Sequence, residues 1–310
     1  MKKITKAVLR KRIMGTNEKM GLLPLWAIYF LLTAIGFVYL YPILYMVINS
    51  VMSPDELADV SVTWVPHALY WGNYEKAFET LDFGKSFLNS VIMSAGPTLL
   101  QVVVTAIIGF GLARFNIKGK GIWFILIVST FLIPDQVTKI PRYVLYHTYG
   151  ILETVFPSFL PAALGQGLKS AIFILIFYQF FASYPKALDE AAEIDGCSKF
   201  RIFYQIALPT ATPAVVLSAV ASFVWYWNET SQSSMFFGNK IPTLPIQLSI
   251  FTDRYTALYG ATDTLSEVDR INEAVTLAGT LLSVLPLIII YLILQRKFMQ
   301  SVEMTGIAGE

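Results

Sequence analysis

The hydrophobic pattern divides the chain into long stretches that carry no charge. Four of these stretches are 22 residues or longer: 20–54, 86–113, 202–228 and 274–295. An α-helix needs roughly 20 apolar residues to cross a bilayer, so each stretch predicts a membrane-spanning helix. A buried helix of a soluble protein is the weaker interpretation, because four such stretches leave too little polar surface to cover them.

The stretch 121–185 is mostly apolar but contains five charged residues: Asp135, Lys139, Arg142, Glu153 and Lys169. Its clearest apolar pieces, 121–134 and 170–183, are each too short to cross a bilayer alone. Asp135, Lys139 and Arg142 are expected in a loop at the outer rim of the membrane. The alternative is a polar pathway within the membrane, where charged side chains are costly and usually functional.

The basic residues predict how the chain is oriented. Residues 1–22 carry seven lysines and arginines, 114–120 carry three, and Arg296 and Lys297 follow the last stretch, whereas 51–86 carry two against six acids. The positive-inside rule then places both termini and 114–120 in the cytoplasm. An even number of spans follows, so 121–185 must contribute two.

The predicted fold class is therefore an all-α polytopic membrane protein with six transmembrane helices. Its predicted parts are a basic cytoplasmic N-terminus (1–21), a transmembrane domain (22–295) and a cytoplasmic C-terminal tail (296–310). The first hydrophobic stretch is too long for a signal peptide and no cleavage-site pattern follows it, so it is expected to be retained. The basic residues before it could form an amphipathic helix or act only as a topogenic charge cluster.

Composition limits the classes of function. Hydrophobic residues make up 55% of the 310 residues and charged residues 14%, about half the share typical of a soluble domain. The formal net charge of +2 does not suit a nucleic-acid partner. One cysteine, Cys197, and two histidines are too few for a disulfide framework or a convincing metal centre. No P-loop motif occurs, so the chain is not expected to bind ATP through one of its own.

The most informative segment, 184–209, reads YPKALDEAAEIDGCSKFRIFYQIALP. It predicts a short helix that starts near Pro185 and ends at Gly196, where glycine suits a left-handed conformation. A second short helix should follow and run toward Pro209. We expect this helix–turn–helix to lie on the cytoplasmic face of the membrane and to present small residues and carboxylates to a soluble partner.

Here the sequence resembles the membrane subunits of ABC importers. Their signature, EAA followed by G and then I-LP, is matched by Glu190, Ala191, Ala192, Gly196, and Ile206 with Leu208 and Pro209. The resemblance implies the type I importer permease fold and a coupling helix in 184–209, to which Asp195 also belongs. In that family the coupling helix docks in a cleft of an ATP-hydrolysing subunit, so ATP and Mg²⁺ would belong to the partner and this chain would bind no cofactor.

Weaker motifs resemble the sugar permeases of the maltose-transporter type. They are IPDQVTKIPRY (133–143), Gly150–Leu152, Trp227–Glu229, Thr243–Pro245 and the tail glycines Gly306 and Gly309. The resemblance implies a saccharide substrate, a second homologous permease, two ATP-binding subunits and an extracytoplasmic solute-binding protein. The serine-rich run 230–234 and the long segment 252–272 depart from the family pattern.

The substrate path is predicted on a helix that continues from near Leu208 to Phe237. On such a helix Trp225, Asn228 and Gln232 share one face, and their indole and amide groups suit the rings and hydroxyls of sugars. The alternative is that the helix ends near Asn228 and that an outer loop begins there.

Several other interpretations remain open. An ABC permease for a non-sugar solute is the nearest alternative. A secondary transporter would need internal inverted symmetry and buried acids, and a membrane enzyme would need a clustered nucleophile, base or metal set. The small residues Ala106, Gly109, Gly111 and Ala113 predict close helix packing, and Cys197 is interpreted as a packing residue.

Overall fold

The computed structural model describes residues 15–16, 19–59, 64–260 and 271–307. Two-residue strands β1 (Gly15–Thr16) and β2 (Lys19–Met20) pair antiparallel. The remaining described elements in the first half of the chain are helices: α1 (Leu22–Asn49), α2 (Pro54–Ala58), α3 (Gly72–Thr80), α4 (Phe83–Arg114), α5 (Lys120–Leu132) and α6 (Asp135–Thr148). The basic segment 1–12 lies outside the described residues.

The second half of the chain is built from shorter helices. They are α7 (Phe156–Ala163), α8 (Ser170–Ser183), α9 (Lys186–Ile194), α10 (Lys199–Ile202), a π-helical turn (Phe203–Ala207), α11 (Leu208–Thr210), α12 (Thr212–Asn228), α13 (Ser231–Phe237), α14 (Leu244–Ser249), α15 (Phe251–Tyr259) and α16 (Glu273–Ile307). The described residues are thus almost entirely helical.

Three helices, Leu22–Asn49, Phe83–Arg114 and Glu273–Arg296, are long and apolar enough to cross a membrane. Three further pairs qualify only together, because α5 and α6 meet at 93°, α8 and α9 at 72°, and Lys199–Thr210 meets α12 at 78°. If each bent pair is one span, the described residues contain up to six. The sequence missed the bends because it reveals length and hydrophobicity but not direction.

Proline accounts for where these bends fall. Pro134 and Pro185 each stand directly before the second helix of a pair, with extended residues, Ile133 and Tyr184, in front of them. A proline disfavours helical conformation in the residue that precedes it, so the first helix ends there. The third bend divides the apolar stretch 202–228 at Ala211, two residues before Pro213 of α12.

The helices divide between two compact units. One contains residues 1–76 and 264–281, and the other contains 77–263 and 282–310. In the first unit, Asn73 Nδ2 donates to the carbonyls of Ser50 and Met52, at 3.0 and 2.7 Å. Tyr45 donates to Glu273 at 3.0 Å. Most apolar side chains of α1 are exposed on all sides of that helix, as expected for a helix in contact with lipid.

The core of the second unit surrounds α4, which packs against α8, α12 and α7. A Cβ atom on Gly109 of α4 would lie 2.6 Å from Phe177 Cβ and 2.9 Å from Tyr178 N of α8. The backbones therefore approach closely at Gly109, and Ala106 beside it is fully buried. The prediction of close packing is confirmed at these two positions, whereas Gly111 has only a ring atom at 3.8 Å.

One other expectation needs correction. Residues 135–143 do not form a rim loop, since they lie in helix α6. The segment 252–272, which departs from the family pattern, contains most of α15, while 261–270 lie outside the described residues. Helix α16 continues beyond the apolar part that ends at Arg296 and extends to Ile307.

Candidate functional site

Segment 184–209 is attached to the core by an ion pair that the sequence did not reveal. Arg114, the last residue of α4, places its Nε 3.2 Å from Oδ2 of Asp189 in α9. Both side chains are largely buried, with 5% and 12% of their surface exposed. An arginine at the carboxyl end of a helix also interacts favourably with the helix dipole.

Tyr184 completes this attachment. Its hydroxyl donates to Asp189 Oδ1, and its carbonyl accepts from Arg114 Nη2 at 2.5 Å. The guanidinium lies 4.3 Å from the centre of the Tyr184 ring. Burial and the neighbouring Asp189 carboxylate raise the pKa of Tyr184 above its usual value, so the hydroxyl keeps its proton and remains a donor. The three side chains therefore fix where α9 leaves the end of α8.

The face of α9 that points away from this attachment is exposed to solvent. Glu190, Ala191 and Asp195 are exposed, whereas Ala192 is buried in the core cluster. Gly196 adopts φ +79°, as predicted for the helix end, and no atom lies within 4 Å of where its Cβ would be. The left-handed conformation alone therefore explains why glycine suits this position.

Exposed apolar side chains continue this surface. Leu188 is 46% exposed, Ile194 87%, Phe200 70% and Tyr204 46%. We call these four residues together with Glu190, Ala191, Asp195 and Gly196 the 188–204 surface. The sequence motif pointed to the small and acidic residues of this surface, but it did not indicate the large apolar ones. Alternating apolar and charged groups of this kind suit a surface that a protein partner covers.

The second part of the segment, residues 198–209, packs against the core. Ser198 caps α10 by accepting from the backbone N–H of Arg201 at 3.3 Å. Ile202, Phe203 and Ala207 are buried, and the Phe203 ring lies 5.2 Å from that of Phe110. Two of the signature residues, Ile206 and Leu208, are partly buried and pack against this core, whereas Pro209 is exposed. Cys197 also packs against this cluster, as predicted.

The predicted substrate face on residues 225–232 does not form. Helix α12 ends at Asn228, and α13 begins at Ser231, so Asn228 and Gln232 do not lie on one continuous helix. The break follows from Glu229, whose extended backbone lets its carboxylate accept from the N–H groups of Gln232 and Ser233, at 2.7 and 2.8 Å. The alternative agrees with the helix end at Asn228, but a helix rather than a loop follows from Ser231.

The three candidates are separated as a result. Trp225 packs on Phe173, with ring centres 5.2 Å apart, and the Lys169 ammonium lies 5.6 Å from its ring. Asn228 is exposed and donates to the carbonyl of Val224 at 3.0 Å. Gln232 alone of the three lines a polar cavity.

This polar cavity lies among α4, α6, α7, α12 and α13. It has a volume of about 40 Å³. Hydroxyl, amide and charged side chains contribute to its wall: Ser90, Ser94, Arg142, Ser158, Gln166, Tyr226, Glu229, Gln232, Ser233 and Thr243. Of these wall residues only Gln232 was predicted to lie on the substrate path, while Arg142 was expected in a rim loop, with a polar pathway as the alternative.

A buried hydrogen-bond network forms one side of the cavity. Tyr226 donates to Gln101 Oε1 at 2.7 Å and accepts from the backbone N–H of Leu168 at 3.1 Å. Gln101 Nε2 donates to the carbonyl of Leu168 at 2.8 Å. A Cβ on Gly167 would lie 2.2 Å from Gln101 Oε1, so only glycine fits there. The network joins α4, α12 and the 164–169 connection.

A larger cavity of about 660 Å³ lies among α4, α12 and α16, and its wall is almost wholly aliphatic and aromatic. Saccharides need many hydrogen-bond partners, which this wall does not offer. The small polar cavity is therefore the better candidate for a saccharide path, despite its size. Among the described residues no group of three or more His, Cys, Asp or Glu is placed to hold a metal ion.

Comparison with known proteins agrees with this architecture. A solved structure, the crystal structure of a bacterial ABC transporter involved in the import of the acidic polysaccharide alginate, matches with a TM-score of 0.71. The match covers 88% of this chain and 95% of that chain at 20% identity, and it shows the fold.

Two curated relatives match along most of their length. The arabinooligosaccharides transport system permease protein AraQ of Halalkalibacterium halodurans is 26% identical over 89% of this chain and 93% of its own length. The diacetylchitobiose uptake system permease protein NgcG of Streptomyces coelicolor is 27% identical over 91% and 86%. The family model of the binding-protein-dependent transport system inner membrane component matches residues 8–303. The chain therefore belongs to the family of inner membrane components of binding-protein-dependent transport systems.

Proposed function

We propose that this chain is one permease subunit of an ABC importer that carries a saccharide by alternating access. The fold and the family assign a transport subunit. The saccharide rests on relatives whose names specify arabinooligosaccharides and diacetylchitobiose. The polar cavity supports the same substrate class, because its hydroxyl and amide groups are the partners that sugar hydroxyls need.

In this proposal the 188–204 surface docks on a separate ATP-binding subunit, which binds and hydrolyses ATP with Mg²⁺. The observation that carries it is the combination of a rigid attachment and a free face. Asp189 is held by Arg114 while its neighbours Glu190 and Ala191 are exposed. A surface that must transmit motion needs both features, because a loosely attached helix would move without moving the core.

The remaining partners follow from the same proposal. One 188–204 surface serves one ATP-binding subunit, so a pair of these subunits requires a second homologous permease. An extracytoplasmic solute-binding protein delivers the saccharide. Both termini and 114–120 are cytoplasmic, as the distribution of basic residues indicates. The segment 184–209 then lies on the same side as the ATP-binding subunits.

Uptake and ATP hydrolysis test the proposal together. Deleting this chain from its host should abolish uptake of one saccharide class from a panel of labelled oligosaccharides. In the purified complex, Glu190→Lys should lower saccharide-stimulated ATP hydrolysis, while Lys120→Gln, on α5, serves as a charge-change control. Saccharide uptake that is unaffected by deletion would contradict the substrate class. Unchanged stimulation in Glu190→Lys would contradict the docking role.

A further inference from the structure

Two charged residues, Arg142 and Glu229, line the polar cavity, and they differ in the number of hydrogen bonds that their charged groups make. Glu229 accepts from Gln232 N at 2.7 Å, from Ser233 N at 2.8 Å and from Ser233 Oγ at 2.8 Å, so both carboxylate oxygens are occupied. Arg142 lies on α6 and is partly buried. Among the described residues it has no hydrogen-bond or ion-pair partner.

The cavity holds a second unsatisfied group. Ser94 of α4 is 1% exposed, and its hydroxyl has no hydrogen-bond partner among the described residues. Leaving a buried polar group unpaired is unfavourable. A guanidinium with five free donors and an unpaired hydroxyl facing one cavity indicate a ligand with acceptor oxygens.

We propose that Arg142 binds the carboxylate of an acidic saccharide, so that this permease selects substrates that contain a uronic acid. The inference rests on the proposed saccharide import and names the substrate class more closely. An arginine fork matches a carboxylate with two parallel hydrogen bonds, whereas a neutral sugar cannot offer a negative partner. The serine and amide groups of the same wall are then available to the sugar hydroxyls.

The volume of the cavity agrees with a carboxylate in this conformation. About 40 Å³ holds a group the size of one or two water molecules. Pockets that enclose whole ligands measure roughly 300–1,000 Å³. The carboxylate can therefore enter this cavity first, and the walls must separate before a sugar ring passes, as alternating access requires.

Glu229 offers a competing role for Arg142. The two side chains line the same cavity, and a rearrangement could pair them in another state of transport. A pairing of that kind would serve neutral and acidic substrates equally. The substrate dependence of an Arg142 variant therefore separates the two roles.

The test compares wild type, Arg142→Gln and a matched control in the complete importer with its own binding protein. Lys139→Gln is the control, since it also removes a positive charge from α6, three residues earlier. The Lys139 side chain donates to Ser231 Oγ at 2.8 Å and does not line the cavity. The probes are labelled di- and trisaccharides, each neutral sugar being paired with the uronic acid that differs from it by one carboxylate.

Acidic probes should enter wild-type cells in a manner that depends on this chain. Arg142→Gln should lower their uptake roughly tenfold or more, the loss expected when a charge-assisted hydrogen bond is removed. Neutral probes should enter the variant as they enter wild type, Lys139→Gln should behave as wild type, and Arg142→Lys should restore part of the acidic uptake.

Chain-dependent uptake of neutral saccharides alone would overturn the inference and leave saccharide import intact. An equal loss of neutral and acidic uptake in Arg142→Gln, with normal amounts of assembled complex, would also overturn it and favour pairing with Glu229. If no saccharide of the panel entered in a chain-dependent manner, the proposed function itself would fail.

Discussion

Arg114 Nε lies 3.2 Å from Asp189 Oδ2, although the two residues are separated by 75 positions in the sequence. The pair joins the end of α4 to the first turn of α9 and is largely shielded from solvent. Removing one member of a buried pair leaves the other charge uncompensated, which commonly costs about 3–5 kcal/mol. The neighbouring Glu190, in contrast, is exposed and has no ion-pair partner among the described residues.

These two adjacent acids should therefore behave differently when replaced. We expect Asp189→Ala to lower the free energy of unfolding by about 3 kcal/mol and to impair assembly with the ATP-binding subunit. Glu190→Ala should leave the thermal unfolding midpoint within about one degree of wild type and lower only stimulated ATP hydrolysis. Thermal unfolding in detergent and ATPase assays measure the two effects. Equal loss of stability in both variants would contradict the separate roles.

Replacement of Gly196 tests the left-handed turn between α9 and α10. Gly196→Ala should destabilise the turn by about 1 kcal/mol, because an L-residue with a Cβ is disfavoured at φ +79°. The control is Gly121→Ala on α5, where the added Cβ also meets nothing within 4 Å and the position is helical. Hydrogen exchange of the amides in 186–202 should accelerate in the first variant only. Equal exchange in both would show that the turn is not strained by alanine.

Gly109 and Gly111 provide a second matched pair on α4. A Cβ on Gly109 would meet the backbone of α8 at 2.9 Å, whereas on Gly111 it would meet only Phe115 at 3.8 Å. We expect Gly109→Ala to cost about 1–3 kcal/mol of stability, since the helices must separate. Gly111→Ala should be neutral or slightly stabilising. The thermal unfolding midpoints of the two variants measure this difference, and equal midpoints would contradict close packing at Gly109.

The hydroxyl of Tyr226 should contribute to stability through its network. Tyr226→Phe leaves Gln101 Oε1 and the N–H of Leu168 without this partner, a loss of about 1–3 kcal/mol. Tyr178→Phe on α8 is the control, because the Tyr178 hydroxyl has no hydrogen bond among the described residues. A stability loss of similar size in both variants would show that removal of any tyrosine hydroxyl, rather than loss of this network, is responsible.

Membrane orientation can be tested by labelling in a Cys197→Ser background. Cysteine at Leu69, which is 61% exposed, should react with an impermeant thiol reagent in intact cells. Cysteine at Lys118, which is also exposed, should react only after lysis. The reverse pattern would place the basic segment 114–120 outside and overturn the proposed orientation.

The sequence predicted α1, α4 and the first part of α16 with their approximate limits, because these depend on local hydrophobicity. It also predicted the conformation of Gly196, since a glycine that follows a short helix commonly ends it in the left-handed conformation. The end of α12 at Asn228 was harder, because it depends on the Glu229 carboxylate accepting from the backbone N–H groups of Gln232 and Ser233.

Long-range partners could not be derived at all. Nothing in the local sequence connects Arg114 with Asp189, and nothing distinguishes Arg142, which faces a cavity, from Lys139 on the same helix. A useful signal was nevertheless available. An arginine within a mostly apolar stretch, such as Arg142, is costly unless something opposite compensates its charge.

The π-helical turn Phe203–Ala207 also determines how the segment before it faces the core. A π turn holds one residue more than an α turn, and such turns are frequent at functional sites. Deleting a single residue there would convert the turn to an ordinary helix and rotate everything before it by about 100°. Phe200 and its exposed neighbours would then face a different direction while Ala207 remained in the core. These five residues are thus a position where a change from π-helical to α-helical hydrogen bonding would alter the direction in which the 188–204 surface faces, without a change in the fold.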